Sequence, residues 1–214
     1  MKYKLHCVAQ SGNAYKVALM LNLCEADWEP VFVDFFNGGH LSDDFKELNS
    51  FAEVPVLEAG ELALSQSGVI LDYLADAFEL FDAANVPEHR EIWRWILFDN
   101  HKLTGSVSTL RFLRTFAKTG ETAVTEFLSA RANRALSVLN NRLIESEFVV
   151  GDKPTIADIS LCGYLFWPEE IGVDWADYPG IGSWLDRLSA LPGWVHPYEL
   201  MPGHPLPENE DQKA

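Results

Sequence analysis

From Tyr3 to Ala9 the chain alternates, with Tyr3, Leu5, Cys7 and Ala9 on one face, and the alternation stops at the polar run Gln10-Ser11-Gly12-Asn13. That pattern predicts a strand and then a turn. Ala14, Val17, Ala18 and Leu21 recur at helical spacing up to Leu23, and Trp28 to Phe35 returns to β-branched and aromatic residues. Strand, helix and strand in succession make a βαβ unit, whose crossover is expected to be right-handed. After the Gly38-Gly39 loop, Ser42 to Leu48 predicts a short helix. Val54 to Glu58 and Leu62 to Leu64 then read as a hairpin across the turn Ala59-Gly60. Proline cannot donate to a ladder, so Pro55 is expected to open its strand. Ser67 to Phe78 closes the unit as a helix, apolar at Val69, Ile70, Tyr73, Leu74 and Ala77.

Beyond Phe81 the pattern is helical almost throughout. Pro87 suits the first turn of a long helix reaching about Lys118, and Gly120 separates it from a second ending near Ser146. In Thr155-Ile156-Ala157-Asp158 the hydroxyl can serve the Asp158 amide while the carboxylate reaches back, which is a capping box in its Asp form. A shorter helix follows Tyr178-Pro179-Gly180. The segment from Leu191, with five prolines in its 24 residues, reads as loop.

Composition narrows the function classes. With 48% apolar, 12% aromatic and 22% charged residues, the chain has material for a packed core. Its 214 residues allow one large domain or two small ones. Sixteen Lys and Arg against 32 Asp and Glu leave a net charge of −16, a surface that repels phosphate backbones and anionic lipid. Neither a nucleic-acid nor a membrane role is expected. The N-terminus has no signal-peptide core and no long apolar run follows, so the expected address is the cytosol. Cys7, Cys24 and Cys162 form no Cys-x-x-Cys pair and read as buried small hydrophobes rather than a disulfide framework or a zinc knuckle. The six histidines are scattered, and no metal is expected.

Three places carry candidate chemistry. Ser11-Gly12-Asn13-Ala14 lies between a strand and a helix N-terminus, where unpaired amides favour an anion and a hydroxyl can donate to one. Ser11 or Asn13 could equally serve as a cap, and the two roles are compatible. Glu53-Val54-Pro55 contains an X-Pro bond, for which the trans form is the ordinary expectation. Leu64-Ser65-Gln66-Ser67-Gly68 places polar residues at another helix entrance, Gln66 offering both donor and acceptor. The chain has no Gly-x-Ser-x-Gly, Walker loop, Gly-x-Gly-x-x-Gly or His-Glu-x-x-His.

Taken in order, these pieces resemble a cytosolic glutathione transferase of bacterial type over essentially the whole chain. Ser11 to Val17 looks like the serine-type catalytic turn of theta-, zeta- or nu-like members, Glu53 to Leu57 like the segment with the family's cis-proline, and Gln66-Ser67 like its γ-glutamyl-binding pair. Gly151 to Asp158 looks like the capping box of the C-terminal domain, and Tyr178-Pro179 through Leu191-Pro192-Gly193 like its closing segment.

The resemblance implies a thioredoxin-like N-terminal domain at 1–80 and an all-helical C-terminal domain at 81–214. Glutathione would be the cosubstrate, activated as a thiolate for attack on small apolar electrophiles in detoxification. Ser11 would donate to the thiol with Asn13 as auxiliary, Val54 would pair its backbone with the cysteinyl part, and Pro55 would hold the turn. Gln66 and Ser67 would bind the γ-glutamyl end and His40 the glycine carboxylate. Glu53, where many members carry a neutral or basic residue, would also lie near that carboxylate. Trp95, Phe98, His101, Lys102, Phe112 and Trp167 are candidates for the electrophile pocket, and a homodimer is implied. The same fold also hosts glutathione-dependent isomerases, dehalogenases and peroxidases, and noncatalytic scaffolds. In the redox relatives a Cys-x-x-Cys occupies the turn where this chain has Ser11 and Ala14, so the reactive sulfur must come from the cosubstrate.

Charge is unevenly placed. Residues 1–80 hold 4 basic and 13 acidic side chains, a net of −9, whereas 81–151 hold 9 and 8. The acidic half is thus the one implied to bind an anionic peptide, and any compensating cation is expected from Arg90 to Arg142 across the cleft. Long-range repulsion predicts that glutathione affinity, measured by calorimetry, rises as salt goes from ~0.01 to ~0.15 M, because the Debye length falls from about 30 to about 8 Å. A flat or falling affinity would mean that local donors at the helix N-termini outweigh the global charge.

Overall fold

In the computed structural model, which describes residues 2–206, the first strand is an inner one. Strand β1 (Tyr3–Cys7) lies between β2 (Trp28–Phe32), parallel to it, and β3 (Val56–Ala59), antiparallel; β4 (Leu62–Ser65) completes the order β2-β1-β3-β4. Leu5 sits opposite Leu57 and His6 opposite Val56, so the two alternating sets point to opposite faces. Leu5, Cys7 and Leu57 join the main core with α1 (Gly12–Leu23) and α3 (Ser67–Phe78). On the other face Val56 packs with Val33 and with Phe45 of α2 (Asp43–Leu48). Pro30 is tolerated in β2 because β2 is an edge, and Pro55 stands just before β3. β2 ends at Phe32 rather than at Phe35: the Phe35 amide donates back to the Val33 carbonyl (2.7 Å), turning the chain into a 3₁₀ turn at Phe35–Asn37.

The helical part begins with α4 (Val86–Phe98), capped by the Asn85 side chain on the Glu88 amide, with Pro87 in its first turn. The pattern predicts one uniform helix to about Lys118. The chain instead stays helical to Phe116 with two widened π segments, at Asp99–Thr104 and Phe112–Phe116, flanking α5 (Gly105–Arg111). Inserted residues of this kind re-aim side chains without ending a helix, and they recur at functional sites. Helices α6 (Ala123–Glu145), α7 (Ile156–Cys162), α8 (Pro168–Ile171) and α9 (Pro179–Ser189) follow.

The capping box at α7 is present with both halves. Asp158 accepts from the amides of Val149 (3.0 Å) and Thr155 (2.9 Å) and from the Trp184 indole (2.9 Å). Burial pushes its carboxyl up to about 6 against the pull of these donors. The segment from Leu191 is not all loop. It contains α10 (Pro197–Leu200), and Met201 is buried in the core; residues 207–214 lie outside the described residues. Among the described residues, no helix is long and apolar enough to cross a membrane.

The two parts meet along α1 and α7. A Cβ at Gly12 would come within 2.6 Å of the Gly163 carbonyl oxygen, and one at Gly163 within 2.8 Å of the Gly12 carbonyl oxygen. Only glycine permits so close a crossing. One turn further, Lys16 reaches out of α1 into complete burial, with its ammonium 2.7 Å from Asp99 Oδ2. The Asp99 carboxylate also accepts from Thr104 (2.7 Å) and from Ser160 of α7 (2.6 Å). Removing one member of a buried pair strands the other, at a cost of about 3–5 kcal/mol, whereas replacing both with apolar residues can be nearly neutral. Urea unfolding is expected to show Lys16→Met far less stable than wild type and the double variant Lys16→Met, Asp99→Leu largely restored. Additive losses would contradict the pairing.

Candidate functional site

Ser11 closes the turn after β1 as the N-cap of α1: its Oγ accepts from the Ala14 amide (3.1 Å), with φ −89° and ψ 109°. A hydroxyl that accepts in this way still has its own proton to give. Ser11 also lines a cavity of about 250 Å³ between the sheet domain and the helical domain. Capping and site-lining are therefore combined in one side chain. Asn13, Glu53 and Val54 line the same cavity from the N-terminal side. The Val54–Pro55 bond is cis. Gln66, at φ 69°, donates from Nε2 to the Glu53 carboxylate (3.1 Å), which brings it to the rim, and Ser67 is buried beside it at the first position of α3. His40 stacks on Phe35 with ring centroids 4.0 Å apart, and Phe35 is itself a wall residue.

Of the residues expected in the second pocket, Phe112 alone lines the cavity. Trp95 is in the core, edge-on to Phe98. Phe98 and Lys102 line a separate hollow with Arg131 and Arg134, and His101 is exposed. These four lie on α4 and the first π segment, which do not contribute to the cavity wall. Trp167 is buried one layer behind the wall, its ring 3.7 Å from the Arg111 guanidinium carbon.

Residues that periodicity did not single out complete the wall. Phe35 and Phe36 are brought there by the early end of β2, and Phe116 by the second π segment. Phe36 and Phe116 meet at 5.3 Å across the two domains. Tyr164 and Arg111 also face the cavity. Arg111 lies within the Arg90–Arg142 range from which a compensating cation was expected. Its Nε donates to Glu170 (2.7 Å), one Nη to the Gln10 carbonyl (2.6 Å) and the other to the Tyr198 hydroxyl (2.9 Å). Sandwiched between Trp167 and Phe116, a desolvated guanidinium of this kind is held by cation–π attraction of up to about 2 kcal/mol per ring. The one hint in the sequence was an arginine at the seam of an otherwise apolar helix face.

Two polar atoms of the cavity wall, Gln10 Oε1 and Asn13 Oδ1, are buried without a protein partner. Buried acceptors in this state call for a donor from outside the chain.

A thioredoxin-like sheet domain joined to an all-helical domain, with a polar turn facing an aromatic wall, defines a class. Residues 1–76 match the glutathione S-transferase N-terminal domain and residues 107–192 its C-terminal domain. The solved structure of a possible glutathione S-transferase from Rhodopseudomonas palustris is 32% identical, with a TM-score of 0.86 over 91% of this chain and 89% of that one. A glutathione transferase homolog from Lodderomyces elongisporus, solved with two GSH per subunit, shares the fold at 24% identity and a TM-score of 0.85, over 94% and 100% of the two chains. The disulfide-bond oxidoreductase YfcG of Escherichia coli is 27% identical over 86% of this chain and 89% of its own. The chain belongs to the glutathione S-transferase family.

The protein's own sulfurs stand apart from the cavity. Cys7, Cys24 and Cys162 are all free and buried, and burial pushes the thiols up, Cys7 to about 12 and Cys24 to about 11. A thiol-specific chromogenic reagent is expected to find no reactive cysteine in the native protein and three after denaturation. Rapid labelling of a native cysteine would contradict this burial.

Proposed function

We propose that the protein is a glutathione transferase of the serine type, in which Ser11 activates the glutathione thiol for attack on small, largely apolar electrophiles. The observation that carries this reading is the position of Ser11: its side chain, at the N-terminus of a 12-residue helix, lines one cavity with Phe35, Phe36, Phe112 and Phe116. An oriented hydroxyl and helix amides favour a thiolate over a thiol. Lowering a thiol from ~8.5 to ~6.5 converts a few per cent of it into a majority at neutral pH, at about 1.4 kcal/mol per unit. Asn13, Val54 and Pro55 would hold the cysteinyl region, with Gln66 and Ser67 at the γ-glutamyl end and His40 at the glycine end. In this reading domains 1–80 and 81–214 each supply one wall, and two copies of the chain form a symmetric pair.

The noncatalytic alternative has one observation on its side. Glu53 puts a carboxylate on the wall of a domain of net charge −9, which disfavours an anionic peptide. The Gln66 amide bound to that carboxylate offsets part of the charge.

Calorimetric titration with glutathione decides between them, followed by a chromogenic conjugation assay. Binding at millimolar concentration or tighter is expected, and its absence would turn the reading to a scaffold. Ser11→Ala is expected to lose at least about tenfold in kcat/KM, roughly 1.4 kcal/mol, while circular dichroism stays unchanged. Because the substitution also removes a cap worth about 1 kcal/mol, Ser11→Thr serves as the control that keeps both cap and hydroxyl. Full activity in Ser11→Ala would remove Ser11 from the mechanism.

A further inference from the structure

Tyr164 follows Gly163 just beyond α7, and its ring lies against the first residue of α1. A Cβ at Gly12 would come 2.5 Å from Tyr164 Cγ and Cδ2. The glycine crossing thus carries a side chain of the helical domain onto the turn that bears Ser11. The polar groups around its phenol oxygen are the Ser11 hydroxyl and the amides of Asn13 and Gly12, with the Arg111 charge nearby. Tyr164, Ser11 and Asn13 line one cavity.

We propose that Tyr164 is a second catalytic hydroxyl: with Ser11 it donates to the sulfur of the bound thiol cosubstrate, so that the thiolate is held by one O–H from each domain. The inference rests on the reading of the site as glutathione-activating.

Two tyrosines beside the same part of the helical domain, Tyr15 and Tyr198, have acceptors within the protein. Tyr15 gives its proton to the Val195 carbonyl (3.0 Å), and Tyr198 gives its proton to Glu170 (2.6 Å). The Tyr164 hydroxyl instead has beside it the Ser11 hydroxyl and the amides of Gly12 and Asn13 at the start of α1, and its side chain lines the cavity. A buried tyrosine hydroxyl ordinarily finds an acceptor, and beside the amides of a helix N-terminus an acceptor of anionic character is favoured. Burial also holds its phenol above the ordinary range, which keeps it in the donating form at neutral pH. The charged side chains lining the cavity among the described residues are Arg111 and Glu53, with Glu170 and the Tyr198 hydroxyl behind the guanidinium. In the reaction the thiol proton leaves to solvent and both hydroxyls keep theirs. The sulfur lone pair then forms the S–C bond as the leaving group departs with its electron pair.

The test is a pH titration of the thiolate ultraviolet absorbance in the glutathione complex of wild type, Tyr164→Phe, Ser11→Ala and the double variant. Tyr164→Phe keeps the ring against Gly12. It is expected to raise the bound thiol by about one unit and to lower kcat/KM about tenfold at neutral pH, recovering at alkaline pH where the thiol ionises unaided. The double variant is expected to titrate near the ~8.5 of a free thiol. If Tyr164→Phe titrates as wild type while Ser11→Ala shifts, Tyr164 only packs, and the proposal fails. A wild-type complex with bound glutathione and no thiolate absorbance overturns the underlying reading, and the Tyr164 role with it. Should Tyr164→Phe loosen the fold, fluorotyrosine introduced at position 164 donates more strongly and is expected to lower the bound thiol; an unchanged titration would count against the role.

Discussion

The ion pair between Lys16 and Asp99 constrains everything around the cleft. A fully buried ammonium has to meet a carboxylate, and the carboxylate has to satisfy its second oxygen as well. Thr104 does this from the π segment while Ser160 of α7 donates to the oxygen that Lys16 engages, so three elements converge on one charge. Since Lys16 and Ser11 belong to the same end of α1, fixing the lysine fixes where the serine faces. The glycine crossing at Gly12 and Gly163 acts alongside it, allowing the helices near enough for the pair to close.

Much of this fold was legible. The period-two run at Tyr3–Cys7, the hairpin around Gly60, the helix from Ser67 and the capping box at Thr155 are all local signals, and each survives in the structure. What sequence could not supply was tertiary in origin. Lys16 reads as the polar edge of a helix, yet it is buried because a partner 83 residues away accepts it. The π segments leave the apolar period almost unaltered, so a long helix is visible while its change of facing is not. Trp95, Phe98, His101 and Lys102, reasonable by composition, lie away from the cavity, whereas Phe116 and Arg111 lie in it. The strand reading of Trp28 to Phe35 overran for a similar reason: Phe35 and Phe36 have strand propensity, and a two-residue backbone turn overrides it.

The site resolves a choice that local chemistry leaves open. Serine before a helix is commonly a cap, and a hydroxyl that accepts through one lone pair keeps its own proton. Ser11 both accepts from the Ala14 amide and lines the cavity. The buried Arg111 supplies the cation that the acidic N-terminal half lacks, and its attachment to Glu170 limits how much of that charge the cavity feels.

The segment after α9 fastens to the same turn. The Ala9 amide donates to the Pro202 carbonyl (2.8 Å), Gln10 Nε2 donates to the Gly203 carbonyl (2.7 Å), and His204 stacks on Tyr198 at 3.7 Å. Residues made early in synthesis are thus braced by residues made some 190 positions later. A nascent thioredoxin-like domain can pair its strands as it emerges from the ribosome. The turn at Gln10 and Ser11 acquires this bracing only when the chain has been made through Gly203, so its final anchoring comes late, after the sheet can already have formed.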